Sequence, residues 1–251
     1  MSFKNKVVLI TGGSAGIGAA TAIEFAKEGA NLALVGRNEA RLKDVTQKCE
    51  KFGVKTLAIK ADMSKDEEVK TIVKQTIDKF GKLDVLVNNA GVFKNTLLAS
   101  PDLLEIYDEV MNVNLRAVIH MTSLAAPYLG KTKGNVVNIS SVLSKTSLQA
   151  PSFMIYCASK AALDMITRSS ALELAASGVR VNAVAPGPVR TDMLASIDEN
   201  RTEEDNKNIT ALGRVSEAEE VADVIKFLAS DKAKGVTGGY YSVDNGVLVK
   251  F

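Results

Sequence analysis

The stretch KVVLITGGSAGIG, residues Lys6–Gly18, decides the fold of this chain. Its first part, Lys6–Thr11, is a short apolar run rich in β-branched residues, which is typical of a buried strand. The run stops at Gly12, and two further glycines, Gly16 and Gly18, follow where a helix is expected to begin. Glycine permits a tight turn, and the N-terminus of a helix attracts phosphate. The pattern predicts a diphosphate-binding strand–turn–helix unit, although a plain strand-to-helix turn has the same glycines and the spacing is not G-x-G-x-x-G.

The same alternation of apolar runs and helical stretches continues along the whole chain. Strands are predicted at 6–11, 31–36, 55–61, 83–88, 134–140, 179–185 and 239–243, and helices at 16–28, 40–52, 67–80, about 102–127 and 155–176. The runs are almost continuously apolar, as expected when both faces of a parallel sheet are covered. We therefore predict an α/β, doubly wound Rossmann fold in a single domain, residues 1–251.

Local signals place several helix ends. Gly29 and Gly81 each follow a predicted helix and are expected to terminate it. Ser64 followed by Glu67 has the spacing of a capping box, which predicts Ser64 as an N-cap.

Residues 187–212 break the alternation. They contain Pro188, a charge-rich stretch that includes Asp198 and Glu199, and no clear strand. Long loops in compact domains are usually functional or disordered. Residues 187–212, called the lid segment below, are therefore either a functional loop, such as a cover over a binding site, or a disordered one.

Composition excludes several classes of protein. The net charge is only +2, and no basic stripe with interleaved aromatics is present, so nucleic acid is not an expected partner. No apolar run is long enough for a membrane span or a signal peptide. The two cysteines, Cys49 and Cys157, are too few for a disulfide framework and fit a reducing compartment. We expect a cytoplasmic protein without a metal site, since no cluster has metal-ligand spacing.

The most informative chemical feature is Tyr156 followed four residues later by Lys160. On a helix these side chains share a face. A phenol has a pKa of about 10, and a nearby positive charge lowers it towards the working range, so the pair suits proton transfer to or from a carbonyl or alcohol oxygen. The alternative is a partly buried tyrosine beside a lysine that reaches to solvent.

Six motifs in order resolve that choice. They are Thr-Gly-x-x-x-Gly-x-Gly at 11–18, Asn-Asn-Ala-Gly at 88–91, Asn114 in Asn-Val-Asn, Ile-Ser-Ser at 139–141, Tyr156-x-x-x-Lys160 and Pro186-Gly187. Over essentially its whole length the chain resembles the short-chain dehydrogenase/reductase family in its form of about 250 residues. The resemblance implies a seven-stranded parallel sheet and a nicotinamide dinucleotide bound at the carboxyl ends of the strands.

The resemblance also implies cofactor contacts. The positions that match them are Gly12, Ser14, Gly16, Ile17, Gly18, Arg37, Asp62, Met63, Asn88, Ala90, Gly91, Tyr156, Lys160, Pro186, Gly187, Val189 and Thr191. NAD-dependent relatives carry an acidic residue near the end of the second strand, whereas this chain has Arg37 there. A guanidinium suits a 2′-phosphate, so we expect NADP(H), even though Ala15 stands where some NADP-preferring relatives have a second basic residue.

For catalysis the resemblance implies hydride transfer between NADP(H) and a carbonyl or alcohol. Tyr156 would be the general acid or base, Lys160 would lower its pKa and bind the nicotinamide ribose, and Ser141 would bind the substrate oxygen. Asn114 would hold a water of a proton relay. Relatives commonly place the serine 13 residues before the tyrosine; here the distance from Ser141 is 15, and Ser144, Thr146 and Ser147 are alternative hydroxyls.

The substrate-facing loops lean apolar, which favours a fairly apolar ketone, a steroid-like or a 3-oxoacyl substrate. The alternative function is a non-catalytic NADP(H)-binding sensor or scaffold protein. Relatives are mostly tetramers, so we expect a homotetramer, or a homodimer, joined through the long helices and the C-terminal segment. His120 is interpreted as a packing or interface residue, and Cys157 as a small buried residue rather than a nucleophile.

Overall fold

Seven strands form one parallel sheet in the order β3-β2-β1-β4-β5-β6-β7. In the computed structural model, which describes residues 2–148, 150–197 and 202–250, the strands are β1 (Val7–Thr11), β2 (Asn31–Gly36), β3 (Thr56–Lys60), β4 (Val85–Asn88), β5 (Asn135–Ile139), β6 (Arg180–Pro186) and β7 (Tyr240–Val243). Every neighbouring pair is parallel. The predicted doubly wound α/β fold is confirmed.

Helices cover both faces of the sheet. They are α1 (Gly16–Lys27), α2 (Glu39–Glu50), α3 (Asp66–Phe80), α4 (Leu103–Met111), α5 (Ala117–Thr132), α6 (Met154–Leu174), α7 (Asp192–Ile197), α8 (Glu203–Asn208), α9 (Ala218–Ala229) and α10 (Val247–Lys250). Alternate residues of β1 enter opposite cores: Val8 and Ile10 pack with α1, α2 and α9, whereas Val7 and Leu9 pack with α3, α5 and α6. This two-sided burial explains why the central strand β1 is apolar on both of its faces.

The order of the strands fixes where a ligand can bind. The chain runs outwards from β1 to β3 on one side and from β4 to β7 on the other, so the direction of winding reverses between β1 and β4. The crevice at the carboxyl ends of the strands beside such a reversal is the expected binding place in an open α/β sheet.

Helix α3 shows one correct and one wrong prediction. Gly81 terminates α3 in the left-handed conformation, with φ 77°, as predicted. Ser64 is not the N-cap; that position is Lys65, without a side-chain cap. Ser64 instead donates from its N–H and its hydroxyl to Asp62, and Glu68 accepts from the Asp62 N–H at 2.8 Å. Because the Ser64 hydroxyl and N–H bond the Asp62 carboxylate, Ser64 does not cap α3.

Between α4 and α5 the chain forms one π-helical segment, Asn112–Arg116, which the sequence pattern did not indicate. Such segments insert an extra residue into a helix and occur often at functional sites. This one carries Asn114.

Among the residues described, no helix is both long and apolar enough to span a membrane.

Candidate functional site

A cleft of about 850 Å³ lies over the carboxyl ends of the strands. Its wall includes the strand-end residues Ile139 and Pro186 and the start of α1. Sixteen of the residues predicted from the sequence line it: Gly12, Ser14, Gly16, Ile17, Arg37, Asp62, Met63, Ala90, Gly91, Ser141, Tyr156, Lys160, Pro186, Gly187, Val189 and Thr191. Motifs that are far apart along the chain therefore meet in one cavity.

Three predicted residues, Gly18, Asn88 and Asn114, do not line the cleft. A Cβ on Gly18 would lie 2.2 Å from the Gly12 carbonyl oxygen, so this glycine permits close packing of α1 on the turn. Asn88 is buried and donates to Asn138 Oδ1 at 2.9 Å and Thr122 Oγ1 at 3.2 Å, which ties β4 to β5 and α5. Gly18 allows α1 to pack closely on the turn, and Asn88 joins neighbouring elements. Both residues therefore support the cleft from behind without lining it.

The N-terminus of α1 suits an anion. No side chain caps it at Ala15, and its first turn contains no acidic residue. Gly12 and Gly16 have φ of 67° and 52°, in the left-handed region that favours glycine. Asn89, which the sequence analysis missed, donates to the carbonyls of Thr11 and Gly12 at 2.9 and 3.1 Å and holds the turn in shape. The uncapped N–H groups fit a diphosphate.

The far end of the cleft is basic. Arg37 and Asn38 follow β2, and Asn38 caps α2 by accepting from the Arg41 N–H at 3.0 Å. Arg41, also missed, lines the cleft, and its Nη1 lies 2.7 Å from Asp192 Oδ2 of α7. Its position in the first turn of the helix that follows β2 was the available signal.

Asp62 lies at the same end. Burial raises the pKa of this carboxyl, but the hydrogen bonds from Ser64 and the positive charges of Arg37 and Lys65 outweigh burial and hold it below its ordinary value. The carboxylate is therefore ionised and available as a hydrogen-bond acceptor.

At the other end of the cleft Tyr156 is buried beside Ser141. Burial raises the pKa of the phenol to about 12, and a hydrogen bond with the Ser141 side chain acts in the opposite direction. Phe93 packs on the phenol ring, with centroids 4.7 Å apart. Among the candidate hydroxyls Ser141 lines the cleft, whereas Ser144, Thr146 and Ser147 do not. The fifteen-residue spacing therefore still brings Ser141 to Tyr156.

Lys160 lies one turn further along α6. Its Nζ donates to the Ile139 carbonyl oxygen at 2.8 Å and stands 5.6 Å from the centroid of the Tyr156 ring. Burial lowers the pKa of this ammonium to about 8, and the charge of Asp164 acts against that shift. The expected lowering of the phenol pKa by Lys160 is not found: desolvation dominates at both residues because both side chains are buried.

Asn114 lies behind these residues, fully buried. Its Oδ1 accepts from the Val92 N–H at 2.8 Å, and its Nδ2 donates to the Val92 carbonyl at 2.9 Å and to Ser159 Oγ at 3.2 Å. A Cβ on Gly91 would lie 3.4 Å from Asn114 Oδ1 and 3.7 Å from Lys160 Nζ. The Asn114 amide oxygen and the Lys160 ammonium therefore both lie close to the backbone of Gly91.

The lid segment forms an apolar wall of the cleft. Its helix α7 places Met193, Leu194 and Ile197 on the lining, and Asn95 Nδ2 donates to the Ile197 carbonyl at 2.8 Å. Ile197 packs against a cluster formed by Leu143, Phe153 and Tyr156, which Phe93 and Leu148 also contact. Asp198 and Glu199 lie outside the described residues.

Other polar candidates stand apart from the cleft. His120 Nδ1 is 3.7 Å from Asp66 Oδ1, beside the Arg116–Asp66 ion pair. Within residues 2–148, 150–197 and 202–250, no group of three or more His, Cys, Asp or Glu side chains has a metal-binding arrangement.

Known proteins match this chain over almost its entire length. A family profile described as enoyl-(acyl carrier protein) reductase matches residues 12–248. The chain is 38% identical over 250 residues to the 3-oxoacyl-(acyl-carrier-protein) reductase FabG of Thermotoga maritima, covering 99% of this chain and 100% of the relative. It is 37% identical to the same-named protein of Staphylococcus epidermidis, covering 98% and 100%.

Solved structures agree with the sequence relatives. A short chain dehydrogenase from Burkholderia cenocepacia in complex with NADP superimposes with a TM-score of 0.92 at 33% identity, over 99% of this chain and 100% of that chain. A blue fluorescent protein from a metagenomic library, in complex with NADPH, has a TM-score of 0.91 at 33% identity, over 98% and 99%.

Proposed function

The chain belongs to the short-chain dehydrogenase/reductase family and is an oxidoreductase of that type, and we propose that it transfers hydride between NADP(H) and a carbonyl or alcohol substrate. The observation that carries the proposal is that Ser141, Tyr156 and Lys160 line one cleft together with an uncapped helix N-terminus. One cavity thus combines a proton donor for an oxygen with a place for a dinucleotide.

The residues present fit NADP(H). The uncapped start of α1 would hold the diphosphate, Arg37 the 2′-phosphate, and ionised Asp62 with Met63 the adenine end. Gly91 would line the ribose beside Lys160. Ala90, Pro186, Gly187, Val189 and Thr191 would complete the site. The complexes of two similar structures with NADP and NADPH support this choice.

When bound, the nicotinamide supplies or accepts the hydride; the chain manages the proton. Tyr156, whose pKa is about 12, is protonated at neutral pH, so it can donate a proton to the oxygen of a ketone during reduction. Ser141 would donate a hydrogen bond to that oxygen and stabilise its developing charge. The charge of Lys160 would favour the phenolate that remains.

Asn114 would hold a water of the proton path. Both hydrogens of its amide are already donated, to Val92 and Ser159, so the remaining lone pair of Oδ1 would have to bind that water. The same bonds keep the Gly91–Val92 backbone beside Lys160.

We propose a fairly apolar substrate: a ketone, a steroid-like or a 3-oxoacyl compound. The apolar wall of α7 and the aromatic contacts of Phe93 with Phe153 and Tyr156 support it, as do the names of the two bacterial relatives. A free sugar would leave too many hydroxyls facing this wall without partners.

The test is turnover of reduced nicotinamide, followed by absorbance over a panel of ketones, steroids and 3-oxoacyl thioesters with NADPH and with NADH. Arg37→Gln should weaken NADPH binding by about tenfold to a hundredfold, the value of a charge-assisted contact, and leave NADH binding unchanged. Lys43→Gln, at an exposed position of the same helix region, is the control. A preference for NADH in the wild type would contradict the cofactor assignment, and NADPH binding without turnover over the whole panel would favour a sensor.

A further inference from the structure

A carboxylate that the proposed reaction does not use is buried one helical turn beyond Lys160. Asp164 of α6 is only 7% exposed. Its Oδ1 accepts a hydrogen bond of 2.6 Å from Ser140 Oγ, and its Oδ2 lies 3.0 Å from Lys145 Nζ, an ion pair without a well-directed hydrogen bond. A buried carboxylate is costly unless it is paired, so its partners are the key to its role.

Both partners belong to the segment that carries Ser141, residues 140–145, called the serine segment below. Ser140 precedes Ser141, and Lys145 follows it by four residues. The Lys145 ammonium also stands 4.8 Å from the centroid of the Tyr240 ring, and the Tyr240 hydroxyl donates to the Ser141 carbonyl at 3.3 Å. The serine segment is thus attached to α6 at both of its ends and to β7 in the middle.

The loop between the serine segment and Tyr156 is long, so contacts are needed to fix the position of Ser141 relative to the phenol. Tyr156 follows Ser141 by 15 residues, and both must face the same substrate oxygen. A hydroxyl displaced by about 1 Å can cost a hundredfold in rate. Asp164 sits on the same helix as Tyr156, so it fixes the serine segment directly to the element that carries the phenol.

Asp164 also acts on Lys160 through its charge. Burial lowers the pKa of Lys160 to about 8, and Asp164 raises it. The ionisable groups around it include Tyr156 with Cys157 on the same helix, Lys145 on the serine segment, and Tyr240 on β7, whose pKa is raised by burial and by the charges of Asp164 and Asp244. Asp164 is the anion that opposes the desolvation of Lys160.

We propose that Asp164 is a positioning residue for the reaction: through Ser140 and Lys145 it holds Ser141 against Tyr156, and its carboxylate, one helical turn along α6, is the counter-charge of the Lys160 ammonium. The inference rests on the proposed function for its kinetic consequences. Its structural part, the attachment of the serine segment, stands independently.

Kinetics of Asp164→Asn provide the first test. We expect kcat to fall by about tenfold to a hundredfold with the KM for NADPH changed by less than about threefold, since the binding of the cofactor is not the function of this contact. The alkaline limit of kcat should move to lower pH, because Lys160 loses its stabilising anion. Asp78→Asn, which removes an exposed carboxylate paired with Lys74 on α3, is the matched control and should change neither.

Variants of Lys145 separate the attachment of the serine segment from the effect of the Asp164 charge on Lys160. Lys145→Met should lower kcat without moving the alkaline limit to lower pH, because the anion remains, and Lys145→Arg should restore kcat. An Asp164→Asn enzyme that is less stable but has the kcat and pH profile of the wild type would overturn the inference.

Hydrogen exchange of residues 140–145 gives a readout that does not depend on turnover. The amide hydrogens of these residues should exchange faster in the Asp164→Asn variant than in the Asp78→Asn variant. Unchanged exchange would overturn the inference whatever the activity. Faster exchange in a chain whose wild type shows no turnover would sink the proposed function and leave the attachment standing. If Asp164→Asn does not fold, Ser140→Ala, which keeps the carboxylate paired with Lys145, is measured in the same way with the same two outcomes.

Discussion

The ionisation of Tyr156 and Lys160 is decided by burial rather than by their mutual charge. The sequence predicted that the two would lie together, and they share one face of α6. It could not predict that both would be desolvated, since Phe93, which covers the phenol, comes from a distant loop. Desolvation favours the neutral form of each group, which raises the pKa of the phenol and lowers that of the ammonium.

A prediction at the residue scale concerns stability and pH. The native pKa of Lys160 is about 8 against 10.5 in the unfolded chain, so between these values the unfolded state binds more protons and stability rises with pH. Below pH 8 the protonated lysine costs the native state on the order of 3 kcal/mol. Relative to Lys160→Met, the free energy of unfolding of the wild type should therefore increase from pH 8 to 10.5.

Urea unfolding of the cofactor-free protein at several pH values measures this difference. Lys43→Met, at an exposed site, should give a curve parallel to that of the wild type. Parallel curves for the wild type and Lys160→Met would show that Lys160 is not desolvated in the native state.

At the scale of elements, regular strands and helices could be predicted, and the π-helical segment could not. The strands are predominantly apolar runs of four to seven residues, and in the central strands that pattern reflects burial on both faces of the sheet. The segment Asn112–Arg116 has no comparable pattern, and the hydrogen bonds of its Asn114 to the Val92 backbone are a tertiary contact that the local sequence does not reveal. The predicted cap at Ser64 failed for a similar reason, since Asp62 and Glu68 organise that turn.

A prediction for this element is that Asn114→Leu destabilises the protein by about 2 to 4 kcal/mol, because the Val92 N–H and carbonyl lose their partner. It should also abolish turnover by releasing Gly91 from Lys160. Arg116→Ala, in the same π-helical segment, breaks only an exposed ion pair and should cost less than about 1 kcal/mol. Chemical unfolding compares the two variants; equal losses would mean that the Asn114 contacts do not maintain the segment.

The lid segment is the second element with a prediction. Its α7 contacts the basic end of the cleft through the Arg41–Asp192 ion pair, an exposed contact that is worth little by itself. We expect the lid segment to become ordered when the cofactor binds, so saturating NADPH should slow its cleavage by trypsin. Unchanged cleavage with and without NADPH would count against closure.

At the scale of the whole molecule, exposed apolar side chains on α5 and α6 bear on how copies of the chain assemble. The α6 helix exposes Met165 and Leu172, 59% and 82% accessible and seven residues apart on one face, and α5 exposes Ile119. Exposed apolar residues aligned on a helix are typical of an interface. They fit the homotetramer, or homodimer, expected from the family resemblance.

Leu172→Arg tests that expectation. Light scattering should give a multiple of the chain mass for the wild type and a smaller species for the variant, because a charge would be buried at the contact. Phe52→Arg, at an exposed apolar position near the end of α2, is the control and should leave the mass unchanged. A monomeric wild type would refute the expected assembly without affecting the site.

The whole molecule also explains why the sequence was so informative. The motifs at 11–18, 88–91, 139–141 and 156–160 follow β1, β4 and β5 or open α6, and parallel strands bring their carboxyl ends to one edge. What the motifs did not reveal are supporting contacts such as those of Asn89, Arg41 and Asp164, which depend on the packing of several elements.

The most direct test of the central claim is NADPH oxidation by Tyr156→Phe, measured beside NADPH binding with the best carbonyl substrate of the panel. NADPH affinity should stay within about threefold of the wild type, while turnover should fall by about a hundredfold or more because the proton donor is gone. A variant that keeps wild-type turnover would contradict the assignment of Tyr156 as the general acid.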